Sequence, residues 1–423
     1  MKIAFVSQPL DVVIPPSQNS IGIWTYQVAR RLANSHNVIV YVKKTRSKQK
    51  IENDENINYK LIWALPNSIL LKLSDKLARF SNPKKPLYTA KFYNLEYILQ
   101  VALDLKKQQC DIIHVQNCPQ FVPIIRAFNP DGKIFLHMHC EWLTQLDYEM
   151  IENRLQKVDL VIGCSEYITD KVRRRFPHFA SKCQAVFNGV NLEKFTNELN
   201  QKRQKDNEIK KLLCVGRVSQ EKGIHILLEA FKKVVEEYPQ VHLNIVGPFE
   251  ELPKSFIVSL SDDNQKVAQL ASFYQTDKVT GKPISYLEQL KNKITPEIAE
   301  KVKFCGPAAH AKIPKYYQEA DIFITSSFSE AFGIPNVEAM ASKLPVIGTL
   351  VGGIPEIIVN EKTGLLIESG DSLALAAAIL RLIKDDNSRE EMGENGYERA
   401  IKLFSWKSIT ETLVKQYKDI LEG

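Results

Sequence analysis

The 423-residue chain has no run of about eighteen consecutive apolar residues, which excludes a helix that spans a bilayer. Its first residues, MKIAFVSQPL, lack the long apolar centre of an export signal and read as a first β-strand, so a cytoplasmic protein is expected. Cysteine is sparse and unpatterned. The seven residues, at 110, 118, 140, 164, 183, 214 and 305, are odd in number and contain no C-x-x-C pair. That argues against a disulfide framework and a cysteine-based zinc site, and suits a reducing compartment. The hydrophobic share of 44% and charged share of 25% belong to a folded globular chain rather than a disordered one.

Negative charge is short in the first half. Residues 1–200 carry 27 Lys+Arg against 18 Asp+Glu, and residues 201–423 carry 29 against 31, so the net +7 is N-terminal in origin. The densest basic pieces are KKTRSKQK (43–50), Lys84-Lys85 and Arg173-Arg174-Arg175. Two readings stand: a surface for anionic lipid headgroups, or a solvated face that aids solubility. No aromatic-interleaved or zinc-type motif accompanies the charge, so nucleic acid is not expected as a partner.

Apolar runs alternate with amphipathic stretches along the whole chain. IAFVS (3–7), NVIVYV (37–42), DIIHV (111–115), KIFLHMH (133–139) and DLVIGCS (159–165) are separated by helix-like segments such as GIWTYQVARRLAN. The pattern restarts at KKLLCVGRVS (210–219) and continues through HLNIVG, KVKFCG, DIFITSS, LPVIGT and TGLLIES. Buried runs alternating with helices predict parallel sheets covered on both faces, here in two α/β domains. Such sheets place their sites at the carboxyl ends of the strands. The polar stretch 197–211 is the natural linker. Residues 250–285 interrupt the rhythm as an insertion, and 372–383, 388–404 and 408–422 read as terminal helices.

Two constellations carry chemistry. In SEAFGIPNVEAMASKLP (329–345), Pro335 suits the first turn of a helix over 334–342. Glu330 then lies in the loop before that helix and Glu338 about one turn inside it. The helix start offers unpaired N–H groups to phosphate oxygens, and a carboxylate beside them can accept from sugar hydroxyls. Equally, Glu338 reads as a helix-surface acid and Glu330 as an acid favoured by the helix dipole. In CVGRVSQEKG (214–223), Arg217 and Lys222 project from a loop at a strand's carboxyl end. There they serve either solvation or the neutralisation of a diphosphate. No two aspartates stand two apart, so the D-x-D pattern of metal-dependent transferases is missing.

VGRVSQEKG, SEAFGIPNVEAMA, LPVIGTLVGGIPEII and TGLLIESGD, in that order, resemble the retaining GT4-type glycosyltransferases of the GT-B fold. NSIGIWTYQVARRLA, LHMHC, CSEYITDKV and VFNGVNLEKF extend the likeness through the first half. The resemblance implies an α/β, GT-B architecture of two Rossmann-like domains facing across a cleft. Residues 1–198 would bind the acceptor, 199–400 would bind the nucleotide sugar, and 401–423 would return to the first domain. It implies that Arg217 and Lys222 bind the diphosphate, that Glu330 contacts donor sugar hydroxyls, and that Glu338 contacts the ribose. Backbone around Phe332, Gly333 and Ile334 would meet sugar or phosphates, Gly216 would line the donor site, and Gly22 in the first loop would let backbone approach phosphates. His139, with His137 as the register alternative, matches the family's active-site histidine. Asn19-Ser20, Cys140 and Asn191 depart from the usual residues.

The resemblance also implies metal-independent, cofactor-free transfer of a hexose from a UDP- or GDP-sugar to a hydroxyl of a glycan or lipid-linked acceptor. Envelope or spore-surface polysaccharide synthesis is the expected setting, with peripheral contact at the inner face of the cell membrane. The alternatives are a non-catalytic coat or scaffold protein that binds glycan or nucleotide, and a sugar-nucleotide epimerase.

Overall fold

The computed structural model describes residues 1–15, 18–44, 56–64, 82, 84–196, 209–258, 265–277, 280–309 and 311–423. It divides into two compact units, Met1–Asn188 with Trp406–Gly423, and Gly189–Ser405. The boundaries expected at 198 and 400 therefore move to 188 and 405. Pairing is the reason: the Val190 N–H donates to the Phe404 carbonyl at 2.8 Å, and Val190 bridges to Ser405. Most of the expected linker, 197–208, lies outside the described residues, as do 45–50 of the first basic cluster.

The first unit is built on a parallel sheet in the order β3-β2-β1-β4-β5-β6-β7. Its strands are β1 (Lys2–Val6), β2 (Asn37–Lys43), β3 (Ile57–Ile62), β4 (Ile112–Gln116), β5 (Lys133–Met138), β6 (Leu160–Gly163) and β7 (Cys183–Ala185). The central strands are buried on both faces, as their unbroken apolar runs require. Helix Ser20–Leu32 starts at Asn19, whose side chain accepts from the Gly22 N–H at 2.9 Å. Gly22 thus lies inside this helix rather than in the first loop. A β-carbon on it would sit 2.0 Å from the Val12 carbonyl oxygen, so its role here is to let the helix close on the segment before it.

The last helix, Trp406–Glu422, belongs to this first unit. Its buried stripe of Trp406, Ile409, Leu413 and Tyr417 shares a core with Phe5, Trp24 and Val28. At its far end the Tyr417 hydroxyl lies 2.7 Å from His114 Nδ1, and His114 Nε2 lies 3.2 Å from His137 Nδ1. Burial, then the His139 imidazole, pulls His114 down to about 3. Burial, then its two histidine neighbours, holds His137 well below the usual imidazole range. Both rings are neutral at ordinary pH. Burial also raises the Tyr417 phenol well above its usual value, so it keeps its proton and is a neutral partner of His114 Nδ1. With both rings neutral, a single hydrogen joins His114 Nε2 and His137 Nδ1, so the two rings and the phenol form one chain.

The second unit repeats the plan with a parallel sheet in the order β10-β9-β8-β11-β12-β13. These are β8 (Lys210–Val215), β9 (Val241–Val246), β10 (Val302–Gly306), β11 (Ile322–Ile324), β12 (Val346–Thr349) and β13 (Gly364–Ile367). Helix Ile224–Glu237 packs with helix Ser372–Lys384 over one face, around Phe231, Val234, Leu375 and Ile379. The described part of the 250–285 insertion forms short helical turns at Lys254–Ile257, Gln265–Ala268 and Gln269–Phe273. Val267, Leu270 and Phe273 pack against Phe328, just beyond β11. All seven cysteines are free thiols. Among the described residues no helix is long and apolar enough to cross a membrane.

Replacing fully buried Leu413 by Ala should lower stability by about 2–5 kcal/mol, whereas Leu421→Ala at the exposed helix end should change it by less than about 0.5 kcal/mol. Urea unfolding followed by tryptophan fluorescence measures both. The histidine pair adds a pH dependence. Above about pH 6.5 neither state binds a proton on these rings, and as pH falls the unfolded chain takes one up on each while the folded chain does not. Stability should therefore drop below pH 6.5. Asp11, raised to about 6 by burial against its bonds to Asn19 and Gln8, works in the opposite sense between its ordinary value of 3.8 and about 6. The slope due to one ring, up to about 1.4 kcal/mol per pH unit, should vanish in His114→Gln, as unfolding at pH 7.5 and 5.5 will show.

Candidate active site

In the second unit, the loops that leave β8 and β11 meet at the carboxyl edge of the sheet. The register Ile322↔Leu212 and Phe323↔Leu213 makes the two strands neighbours, so residues more than a hundred positions apart share one edge. The Ser326 hydroxyl then donates to the Lys222 and Gly223 carbonyls, each at 3.0 Å, and the Phe328 N–H donates to the Glu221 carbonyl at 2.7 Å. These bonds seat the lysine loop against the loop that carries Glu330. The pocket they enclose is lined by Gly216, Arg217, Lys222, Glu330, Gly333 and Asn336, among others.

Lys222 Nζ lies 2.5 Å from Glu330 Oε2, and both side chains are mostly buried. Burial opposes the ammonium charge, but the Glu330 and Glu221 carboxylates and the hydrogen bond to Glu330 outweigh it and hold the Lys222 pKa above its ordinary value. The pocket therefore contains a permanent cation. Arg217 Nη2 is 3.4 Å from Glu221 Oε1, which also accepts from the Ser219 hydroxyl at 2.7 Å. Arg217 remains about one-third exposed, so its guanidinium borders the pocket with donors to spare. Glu221 is a site residue that sequence reading passes over. Its only signal is a position four residues after Arg217, which says nothing about orientation inside a turn.

Gly352 is legible in the sequence only as a member of a glycine pair suited to a tight turn. It has φ +56°, and a β-carbon there would fall 1.7 Å from the Glu330 carbonyl oxygen. The next N–H, of Gly353, donates to that carbonyl at 3.1 Å. The pair thus fixes the backbone of Glu330 from behind.

Not every expected residue joins this pocket. Helix Ile334–Ala341 starts with Pro335 in its first turn, close to the expected span. Glu338, within it, is buried and accepts from the Tyr317 hydroxyl at 2.9 Å. Phe332 is buried edge-to-face against Phe404, with ring centroids 5.8 Å apart. Neither these two side chains nor that of Ile334 lines the pocket that Arg217, Lys222, Glu330, Gly216 and Gly333 share.

The first unit presents a separate, uncharged constellation at the carboxyl edge of its own sheet. His139 follows β5, with its N–H donating to Asn117 Oδ1 at 2.8 Å and Nε2 lying 2.9 Å from Gln116 Oε1. A carbonyl oxygen can only accept, so Nε2 carries the hydrogen in this contact. Burial lowers His139 to about 3, against a hydrogen bond with Asn188 that works upward. His139 is half-buried whereas His137 is fully enclosed and bonded to His114, which favours His139 over the register alternative as the residue able to meet a ligand. Trp24 packs across all three imidazoles at centroid distances of 4.6 to 6.0 Å. Among the described residues no cluster of three or more His, Cys, Asp or Glu side chains is arranged to hold a metal.

Comparison with known proteins gives this arrangement a family. The Glycosyltransferase Family 4 description matches residues 21–194 and Glycosyl transferases group 1 matches 195–399. Spore coat protein SA of Bacillus subtilis is 29% identical over 332 residues, which cover 75% of this chain and 81% of that protein. Sucrose-phosphate synthase from Thermosynechococcus elongatus superposes with a TM-score of 0.70 at 21% identity, over all of both chains. Anabaena HepE in complex with UDP and glucose gives 0.69 at 19% identity, over 99% of this chain and all of that one. The two family matches run consecutively through both units, and with the two parallel α/β sheets they establish that the chain belongs to the GT4-type glycosyltransferases of the GT-B fold.

Proposed function

We propose that this glycosyltransferase moves a hexose, with retention and without a metal ion, from a UDP- or GDP-sugar to a hydroxyl of a glycan or lipid-linked acceptor. The observation that carries the reading is the Lys222 ammonium, held charged in the pocket at the end of β8 and paired with Glu330 2.5 Å away. A leaving nucleoside diphosphate gains negative charge as the bond from the sugar's anomeric carbon to the phosphate oxygen breaks. Lys222, Arg217 and the start of helix Ile334–Ala341 supply positive potential where that charge would grow. The new bond forms from the acceptor oxygen to the same carbon, and the acceptor's proton passes to the departing phosphate. The products are a glycoside and a nucleoside diphosphate. The second carboxylate of the motif, Glu338, is turned to Tyr317, so among the described residues Glu330 has no partner acid in the pocket with which to run a double displacement. Glu330 instead accepts from sugar hydroxyls while it orients Lys222. His139, neutral and only half-buried, serves on the acceptor side.

The donor assignment draws support from the UDP and glucose named for HepE, and the surface-polysaccharide setting from the spore-coat relative. Glu330 with Lys222 and Arg217 intact speaks for catalysis rather than a coat protein that has lost it. The excess of 27 basic over 18 acidic residues in positions 1–200 would draw the enzyme to the inner face of an anionic membrane.

Arg217→Ala and Lys222→Ala should each lower turnover by about 10²-fold or more, read as nucleoside diphosphate released in the presence of acceptor. Wild-type turnover should survive excess chelator. Activity lost to the chelator and restored by manganese, or an Arg217→Ala enzyme of unchanged turnover, would sink the assignment. Co-sedimentation with vesicles rich in anionic lipid should be lost as salt rises from about 0.01 to 0.15 M, over which the screening length falls from about 30 to 8 Å. No sedimentation even at low salt would remove the membrane from the proposal.

A further inference from the structure

Asn336 stands in the first turn of helix Ile334–Ala341, fully buried, and lines the same pocket as Lys222 and Glu330. One end of its carboxamide is fixed, since Oδ1 accepts from the Thr325 hydroxyl at 2.8 Å. The other end, Nδ2, has no hydrogen-bond partner among the described residues. A buried N–H left in that condition is costly, so its retention in a pocket needs a reason. Its position supplies one. Nδ2 lies 2.5 Å from the point that a β-carbon on Gly333 would occupy, and Gly333 also lines the pocket. Any side chain at 333 would clash with the amide, so glycine is what lets Nδ2 sit this close to the helix start.

We propose that Asn336 is a recognition residue for the diphosphate of the bound nucleotide sugar, with Nδ2 donating to a phosphate oxygen and Thr325 holding the other end of the carboxamide. The inference rests on the nucleotide-sugar reading of this pocket. Its chemistry comes from the groups present. Glu330 can only accept, so it takes hydroxyl hydrogens. Nδ2 can only donate, so it calls for an oxygen that accepts, and the oxygens best able to do so beside Lys222, Arg217 and a helix N-terminus are those of phosphate. The reverse orientation of the carboxamide would turn Oδ1 toward a carboxylate and an anionic ligand. The Thr325 hydroxyl can pair with either end of the carboxamide, so the like charge of that arrangement is what selects Nδ2 as the inward group.

Isothermal titration of UDP, GDP, UMP and GMP against wild type, Asn336→Ala, Asn336→Asp and Thr325→Val tests this. Asn336→Ala should raise the Kd of the diphosphate that wild type binds by about 10- to 100-fold, the range for a hydrogen bond to a charged group. Asn336→Asp, which adds like charge, should raise it further, and Thr325→Val should move it in the same direction by less. The matching monophosphate should change by less than about twofold. Diphosphate affinity unchanged in folded Asn336 variants, or equal losses for diphosphate and monophosphate, would overturn the proposal. Wild type that binds neither diphosphate would instead overturn the nucleotide-sugar reading. If the Asn336 variants fail to fold, the wild-type Asn336 side-chain amide decides the matter by NMR. Its resonances should shift with the diphosphate and not with the monophosphate, and an amide unmoved by the diphosphate rejects the assignment.

Discussion

The contact between Lys222 and Glu330 is the constraint around which the second unit is arranged. Two opposite charges mostly withdrawn from water are stable there only together, and removing one partner of such a pair costs about 3–5 kcal/mol. The pair has to be built from two loops, 108 residues apart in the chain. Everything near it serves that meeting: β8 beside β11, Ser326 bonded to the lysine loop, and Gly352 close behind the glutamate carbonyl. Such a site is set before any ligand arrives. An incoming anion then meets an ammonium whose orientation is already determined, and preorganisation of this kind lowers the reorganisation needed at the moment charge develops.

The first unit solves a different problem at the corresponding edge of its own sheet. There burial removes the charge of a row of imidazoles, and Tyr417 on the last helix bonds to His114 at one end of that row. His139 takes its ring orientation from Gln116 and Trp24, and Asn117 holds its backbone N–H. The same βα architecture thus presents a buried ion pair in the pocket of one unit and a row of uncharged imidazoles in the other. The C-terminal helix is therefore part of that edge as well as part of the core, because its tyrosine is the only phenol bonded to the histidine row among the described residues.

Much of the architecture is legible because parallel strands buried on both faces must be written as apolar runs. IAFVS, NVIVYV and DIFITSS announce β1, β2 and β11 directly. Two strands carry no such announcement. INYKLI, at the sheet edge, is only partly buried and alternates too weakly to register, and CQA is three residues long. In the site, Arg217, Lys222 and Glu330 can be named from loops that come after strand ends, since topology forces such loops to the carboxyl edge. Their pairing cannot. Which carboxylate meets which cation depends on strand order and register, and Glu221, Asn336 and Gly352 acquire their parts only through contacts that no local spacing encodes. Gly22 shows the limit from the other side: a glycine in a segment suited to a ligand contact is instead required by the helix for its own packing against Val12.

The two acids of the SEAFGIPNVEAMA stretch illustrate why a motif should be read residue by residue. Their separation of eight places one in a loop and one inside a helix, and the intervening turn sends them to different neighbours. Glu330 faces a lysine and leaves the pair open to the pocket, where a ligand can compete for either member. Glu338 faces Tyr317, itself fully buried and packed against Phe195 and Phe323. A carboxylate bonded to a phenol in that setting ties helix Ile334–Ala341 to helix Ile313–Glu319. The same helix presents Asn336 to the pocket from its first turn, so the acid that anchors the helix and the amide that lines the pocket ride on one element, while of the two acids only Glu330 lines the pocket.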